Sequence, residues 1–256
     1  MTTRPCILCI GGHDPTGGAG IQADIETVTA LGARAVTLVT CLTAQDTRNV
    51  QGLFATAEDD FRRQRDILLA DVAPDAVKIG VLGSPLIAVA IADWLDHFSG
   101  PVVLDPVLAA GGGTPLATAD LTQRLRTDIL PQTTLVTPNR AELRQLAGAD
   151  DEATAAQQLL SQGADGVLVT GADEAATDQV SNTLYRHGVA NTAWQWPRLP
   201  NTYHGSGCTL ASACATHLAL GDDLEAAAAA AQTFTWKSLA DAESVGAGQW
   251  LPRRWR

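Results

Sequence analysis

Residues 6–24 read Cys6-Ile7-Leu8-Cys9-Ile10-Gly11-Gly12-His13-Asp14-Pro15-Thr16-Gly17-Gly18-Ala19-Gly20-Ile21-Gln22-Ala23-Asp24, a short apolar run, a glycine-rich loop and the start of a helical pattern. Such a loop leaves backbone N–H groups exposed at a helix start, where they attract anions, and its glycines let a ligand approach the main chain. The rhythm recurs along the chain. Strands are expected near 5–10, 34–40, 75–79, 101–104, 133–136 and 165–170, and helices near 19–31, 58–70, 85–97, 118–129 and 151–162. Parallel neighbours require a crossover, so this alternation predicts an α/β fold with a mostly parallel sheet covered by helices on both faces. Residues 178–197 change character, with segments at 182–185 and 192–196 suited to an edge hairpin. Residues 205–220 and 222–239 then read as two helices, and 225–232 is nearly all alanine. No linker rich in Pro, Gly or Ser divides the chain and no repeat is visible, so residues 1–256 are expected to form a single domain.

A 46% hydrophobic composition excludes disorder. No apolar run approaches the roughly 18 residues needed to cross a bilayer, and residues 6–10 are too short for a signal-peptide core. A soluble, cytoplasmic protein without a membrane partner is expected. With 17 Lys+Arg against 28 Asp+Glu the formal charge is −11, which argues against a nucleic-acid partner. The basic tail at 253–256 reads as a solvated end. Five cysteines are an odd number without a disulfide framework. Cys6 and Cys9 make a C-x-x-C, but strand geometry sends them to opposite faces.

A second glycine loop, Gly205-Ser206-Gly207-Cys208-Thr209, also opens a helix. Two such loops suggest two anionic ligands or two ends of one, and either would also serve as a plain tight turn. Residues 18–23 satisfy the dinucleotide pattern G-x-G-x-x-G/A, which raises a nicotinamide-dependent oxidoreductase. Pro15 intervenes, however, and the chain reads Leu38-Val39-Thr40 where a ribose-binding acid belongs. The G-x-x-x-x-G-K-[ST] phosphate loop is missing.

Between the loops lie Leu42-Thr43-Ala44-Gln45-Asp46-Thr47-Arg48, Val77-Lys78-Ile79-Gly80, Asp105-Pro106-Val107 and Thr137-Pro138-Asn139-Arg140-Ala141-Glu142. With the two glycine motifs, and in this order, they make the chain resemble, over about residues 5–240, the hydroxymethylpyrimidine and phosphomethylpyrimidine kinases of thiamin biosynthesis, members of the ribokinase superfamily. The resemblance implies a three-layer α/β/α sandwich with a mostly parallel central sheet. It implies ATP-dependent phosphorylation with Mg²⁺, first of the alcohol of 4-amino-5-hydroxymethyl-2-methylpyrimidine and then of its monophosphate. It also suggests a homodimer, for which Trp194, Trp196, Trp250 and Trp255 offer apolar surface.

Residue by residue, the amides of Gly205, Ser206, Gly207 and Cys208 would cradle the transferring phosphoryl group. Most superfamily members carry aspartate as base where this chain has Cys208. A thiol at a helix N-terminus is expected to have a depressed pKa and so to serve as base for the alcohol. The second acceptor is already anionic and needs little help, so Cys208 would be nearly a bystander there. The carboxamide of Gln45 can match an aminopyrimidine edge, and Asp14, Gly18 and Gly20 belong to the loop facing the substrate, although Asp14 equally suits a turn with Pro15. Asn139, Thr170 and Gly171 are placed with the nucleotide, and Asp105 and Glu142 with Mg²⁺. Asn139 and Glu142 also have the spacing of a helix cap with its N3 acid. Lys78, inside an apolar strand, projects from an edge or reaches a carboxylate, and no catalytic role is assigned to it. Many relatives have V-K-G-G where this chain reads Val169-Thr170-Gly171-Ala172, so the missing charge would come from metal, Arg140 or Lys237. Two readings stay beside the leading one: a pyridoxal kinase of the same superfamily, and a catalytically weak pyrimidine-binding sensor.

Overall fold

The computed structural model describes residues 4–172 and 178–255. Its strands are β1 (Cys6–His13), β2 (Arg34–Gln45), β3 (Val50–Ala55), β4 (Ala76–Ile79), β5 (Val102–Leu104), β6 (Leu135–Val136), β7 (Gly166–Val169), β8 (Gln179–Arg186) and β9 (Thr192–Pro197). They form one sheet in the order β3-β2-β1-β4-β5-β6-β7-β8-β9. The pairings from β2 through β7 are parallel, while β3, β8 and β9 add antiparallel at the two edges. The helices are α1 (Gly20–Ala30), α2 (Glu58–Asp71), α3 (Pro85–Leu95), α4 (Ala119–Arg124), α5 (Arg140–Ala147), α6 (Glu152–Ser161), α7 (Ser206–Ala219) and α8 (Leu224–Ala240).

Period-two alternation in the apolar strands builds the layers. Ile7 and Cys9 of β1 join a core with Leu210, Cys214 and Ala228 of α7 and α8. Leu8 and Ile10 face the opposite way, onto Ile87, Ile91 and Leu143 of α3 and α5. A three-layer α/β/α sandwich results. Because β1 has β2 on one side and β4 on the other, the strand order reverses there, and ligands of open α/β sheets collect beyond the strand ends at such a point.

Three local expectations need correction. The second strand does not stop at residue 40 but continues to Gln45 and returns as β3, through a turn in which Asp46 Oδ1 accepts the N–H groups of Arg48 (2.8 Å) and Asn49 (3.1 Å). The tail is not solvated at Arg254, which is 3% exposed, although Arg253 and Trp255 are exposed and residue 256 lies outside the described residues. The tryptophans of β9 are used within the protomer: Trp194 packs against the core and Trp196 stacks on Trp236. Among the described residues no helix is long and apolar enough to cross a membrane.

Candidate active site

A cleft of about 570 Å³ runs along the carboxyl ends of the parallel strands. Its lining follows the strand order. His13, Asp14 and Gln45 wall one end, Gly20, Lys78, Asp105 and Cys208 the middle, and Asn139, Thr170, Asn182, Trp196 and Trp236 the other end.

The first glycine loop is folded around Asp14, which is buried. Its carboxylate accepts the N–H of Thr16 (2.8 Å) and of Ala19 (2.8 Å), the Thr16 hydroxyl, and His204 Nε2 (2.9 Å). Burial pushes its carboxyl up, but His204 and the loop amides outweigh this and hold it below the ordinary carboxylate value. Asp14 therefore organises its own turn while bordering the cleft. Gly20, at φ 60°, needs its missing side chain, because a Cβ would sit 2.3 Å from the Gly12 carbonyl oxygen. Gly18 does not line the cleft as expected. It is buried behind the loop, where its carbonyl faces Gly205: a Cβ on Gly205 would fall 1.9 Å from Gly18 O.

Gly205 adopts the left-handed conformation (φ 77°) and turns the chain into α7. The first amides of a helix have no intrahelical partner, so the turn at 205–208 presents N–H groups to the cleft. Below it lies a buried charge network. Lys78 Nζ is 2.8 Å from Asp24 Oδ1, with side-chain exposures of 1% and 0%, and the Ser212 hydroxyl donates to the same oxygen at 2.7 Å. Lys78 thus takes the second of its two expected courses and reaches a carboxylate. Burial disfavours its charge, but the carboxylates of Asp24 and Asp105 more than compensate and hold it cationic. Asp105 has one buried oxygen, Oδ2, with no hydrogen-bond partner. Burial, aided by Asp24, raises its carboxyl to about 6 against the pull of Lys78 and a hydrogen bond from Cys208.

The expected depression of the Cys208 thiol is reversed. Burial, then the charges of Asp105 and Asp24, push it up to about 12, although Lys78 and the Gly20 amide pull the other way. Desolvation at the cleft floor and its two carboxylates outweigh the pull of the helix end.

At the far end Asn139 and Glu142 form a capping box, with Asn139 Oδ1 accepting the Glu142 N–H (2.8 Å) and Glu142 Oε2 accepting the Asn139 N–H (3.0 Å). Both also border the cleft. Thr170 lines it too, but Gly171 does not: its N–H donates to Asn182 Oδ1 at 3.1 Å, and a Cβ there would meet Arg140 Nη1 and Ser181 O. Neither cation proposed for the missing lysine faces the cleft. Arg140 Nε pairs with Glu152 Oε2 at 2.5 Å and Lys237 is exposed outside the lining. Among the described residues the Lys and Arg side chains in the lining are Lys78 and Arg198, and Arg198 Nη1 donates to Ala172 O at 3.1 Å. No group of three or more His, Cys, Asp or Glu among the described residues is placed to hold a metal ion.

The profile of the family described as phosphomethylpyrimidine kinase matches residues 14–252. The chain belongs to the phosphomethylpyrimidine kinase family. A hydroxymethylpyrimidine/phosphomethylpyrimidine kinase of Streptomyces coelicolor is 35% identical over 254 residues, covering 96% of this chain and 93% of that protein. The thiamine biosynthesis bifunctional protein ThiED of Geobacter sulfurreducens is 39% identical over 252 residues, covering 96% of this chain but 51% of that longer protein. In structure the chain is similar to an ADP complex of Bacillus subtilis pyridoxal kinase, with a TM-score of 0.89, 28% identity and 98% of each chain covered.

Membership in this kinase family makes the chain a phosphotransferase. Lys78 and Asp24 had a signal: a lysine inside a four-residue apolar strand, and an acid among the buried positions Ile21, Ala23, Thr27 and Val28 of α1. His204 had only its place beside the second loop.

Proposed function

We propose that this chain transfers the γ-phosphoryl group of ATP to 4-amino-5-hydroxymethyl-2-methylpyrimidine and then to the resulting monophosphate. The observation that carries this reading is that Gln45 and the amide-lined turn at 205–208 open into one cleft, with Asp105 and Lys78 between them. Phosphoryl transfer is mostly alignment and charge neutralisation. The half-buried carboxamide of Gln45, steadied by an Nε2 bond to Thr43 Oγ1 (2.8 Å), offers both an acceptor and a donor to the ring. The loop built on Asp14 shapes the acceptor end, and Asn139 and Thr170 border the nucleotide.

Mg²⁺ fits these residues, because the unpartnered Oδ2 of Asp105 and its raised carboxyl favour a neighbouring cation. Asp105 would hold the ion, with Glu142 acting through water, and the bound ion would supply charge neutralisation to the phosphates. The protein's own residues position the acceptor oxygen, exclude water and present N–H groups to the phosphoryl oxygens. A neutral thiol at Cys208 suits both acceptors, since an ionised side chain there would repel the anionic monophosphate. In single-turnover assays Cys208→Asp is expected to slow the second transfer more than the first. Cys208→Ala is expected to slow the two transfers by similar, small factors, because a thiol pushed up to about 12 does not serve as base for the alcohol, and a large loss confined to the first transfer would contradict this.

A cytoplasmic homodimer belongs to the same reading, supported by exposed Leu42 and Phe54 on the β2–β3 hairpin and by Trp255; sedimentation counts the protomers. Structural likeness to a pyridoxal kinase favours one second reading, in which pyridoxal is the acceptor. Comparing kcat/KM for the two ring compounds separates them. The pyrimidine is expected to win, and a preference for pyridoxal would replace the substrate assignment.

A further inference from the structure

Arg254 lies two residues beyond the stretch matched by the family profile, on a tail whose composition suggested a solvated end. The segment leading to it is laced along the rim of the cleft. The Gly248 N–H donates to Thr47 Oγ1 at 3.0 Å, and the Gln249 N–H to Thr47 O at 2.7 Å. The Trp250 N–H bonds Thr202 O at 2.8 Å, and the His204 N–H returns to Trp250 O at 3.0 Å. The chain then carries the guanidinium of Arg254 beneath both glycine loops.

The hydrogen bonds of that guanidinium serve those loops or the helix that follows the first. Nη1 reaches Gly17 O (3.4 Å) and Glu26 Oε2 of α1 (3.0 Å), and Nη2 donates to Gly18 O. Nε donates to Thr209 Oγ1 at 2.8 Å, and that hydroxyl in turn donates to Gly205 O at 2.8 Å. The loops touch at this spot, where Gly18 O faces the Cα of Gly205. A guanidinium has a planar fork of donors that can hold several acceptors at fixed angles, which an ammonium does not. Burying it costs several kcal/mol unless its donors are satisfied.

We infer that Arg254 is a positioning residue for phosphoryl transfer. It ties the acceptor-side loop, residues 14–20, to the first turn of α7 and so fixes where the acceptor oxygen lies relative to the amides at 205–208. The inference rests on the kinase reading above. Arg254→Ala is expected to lower kcat on the order of 10- to 100-fold, as misplacement of reacting groups does, while KM for either substrate changes less than about threefold. Free guanidinium is expected to restore part of that kcat, whereas Arg253→Ala, at an exposed neighbour, leaves it unchanged. Amide hydrogen exchange should quicken at 17–19 and at Thr209, whose N–H groups are hydrogen-bonded, in Arg254→Ala and stay unchanged in α3. If that variant does not fold, Arg254→Lys carries the test, with lowered kcat, unchanged KM and the same local exchange expected. Wild-type kcat in the substituted protein overturns the inference. So does a loss that only follows the unfolded fraction, with no guanidinium rescue and no local change in exchange. Should the wild-type chain phosphorylate neither ring compound, the kinase reading fails on its own, and the exchange pattern still decides whether the clasp exists.

Discussion

Lys78→Met is expected to destabilise the fold by about 3–5 kcal/mol and to reduce turnover on the order of 100-fold. The stability loss comes from leaving Asp24 charged and without its cation at a site with no solvent access. Adding Asp24→Asn removes the orphaned charge while retaining an acceptor for the Ser212 hydroxyl. The double variant should therefore recover most of the stability, because exchanging a buried pair for neutral groups is often close to neutral. Turnover should not recover, since the cleft floor beside Asp105 and Cys208 still lacks positive charge. Urea unfolding of the two single variants and the double variant checks this. A double variant as unstable as Lys78→Met would show that the methionine packs badly and that the ion pair is not the cause.

Asp105→Asn is expected to act in opposite directions on stability and on activity. Its folded carboxyl is held at about 6, against an ordinary 3.8, so the native state binds this proton more tightly than the unfolded chain does. The resulting stabilisation is fully present below 3.8 and is lost as pH rises through 6. In chelator at pH 8 the wild-type protein carries the uncompensated charge, and the amide relieves it. There Asp105→Asn should raise stability by about 1–3 kcal/mol, with a much smaller gain at pH 5. Turnover with Mg²⁺ should fall at least about 100-fold, as when a charge-stabilising group is removed. Thermal unfolding at the two pH values and a coupled assay test both halves. A lower Tm at pH 8 would mean that Lys78 and Cys208 stabilise the carboxylate more than burial penalises it.

These two sites also show how far the chain could be read unaided. The central strands were legible because residues such as Ile7, Leu8, Val77 and Val103 are apolar on both faces, and the glycine loops because each stands between an extended or irregular stretch and a helix. The capping box at Asn139 and Glu142 was visible as spacing, and the structure gives it a border on the cleft as well. The hairpin after residue 40 was hidden because Thr43 and Gln45 alternate with exposed Leu42 and Ala44, a pattern that resembles a loop until β3 pairs with it. Glycine composition marks a turn but does not say which side of it meets a ligand. For that reason Gly18, Gly20, Gly171 and Gly205 were all expected in the cleft, and of these four Gly20 and Gly205 border it. The proton affinity of Cys208 depends on Asp24, Lys78 and Asp105, which lie far away in sequence and come together only through the order of the strands. The burial of Arg254 was hidden for the same reason, since a basic tail has the composition of a solvated end whatever it packs against.

The central claim is that one cleft serves both acceptors in turn. Its most direct test is a time course of the purified chain with 4-amino-5-hydroxymethyl-2-methylpyrimidine, ATP and Mg²⁺, resolved by mass. The account predicts a monophosphate that rises and then falls as the diphosphate accumulates, with one ADP released per phosphoryl group transferred. Tight pyrimidine binding without ADP release, or phosphorylation of pyridoxal alone, would contradict it.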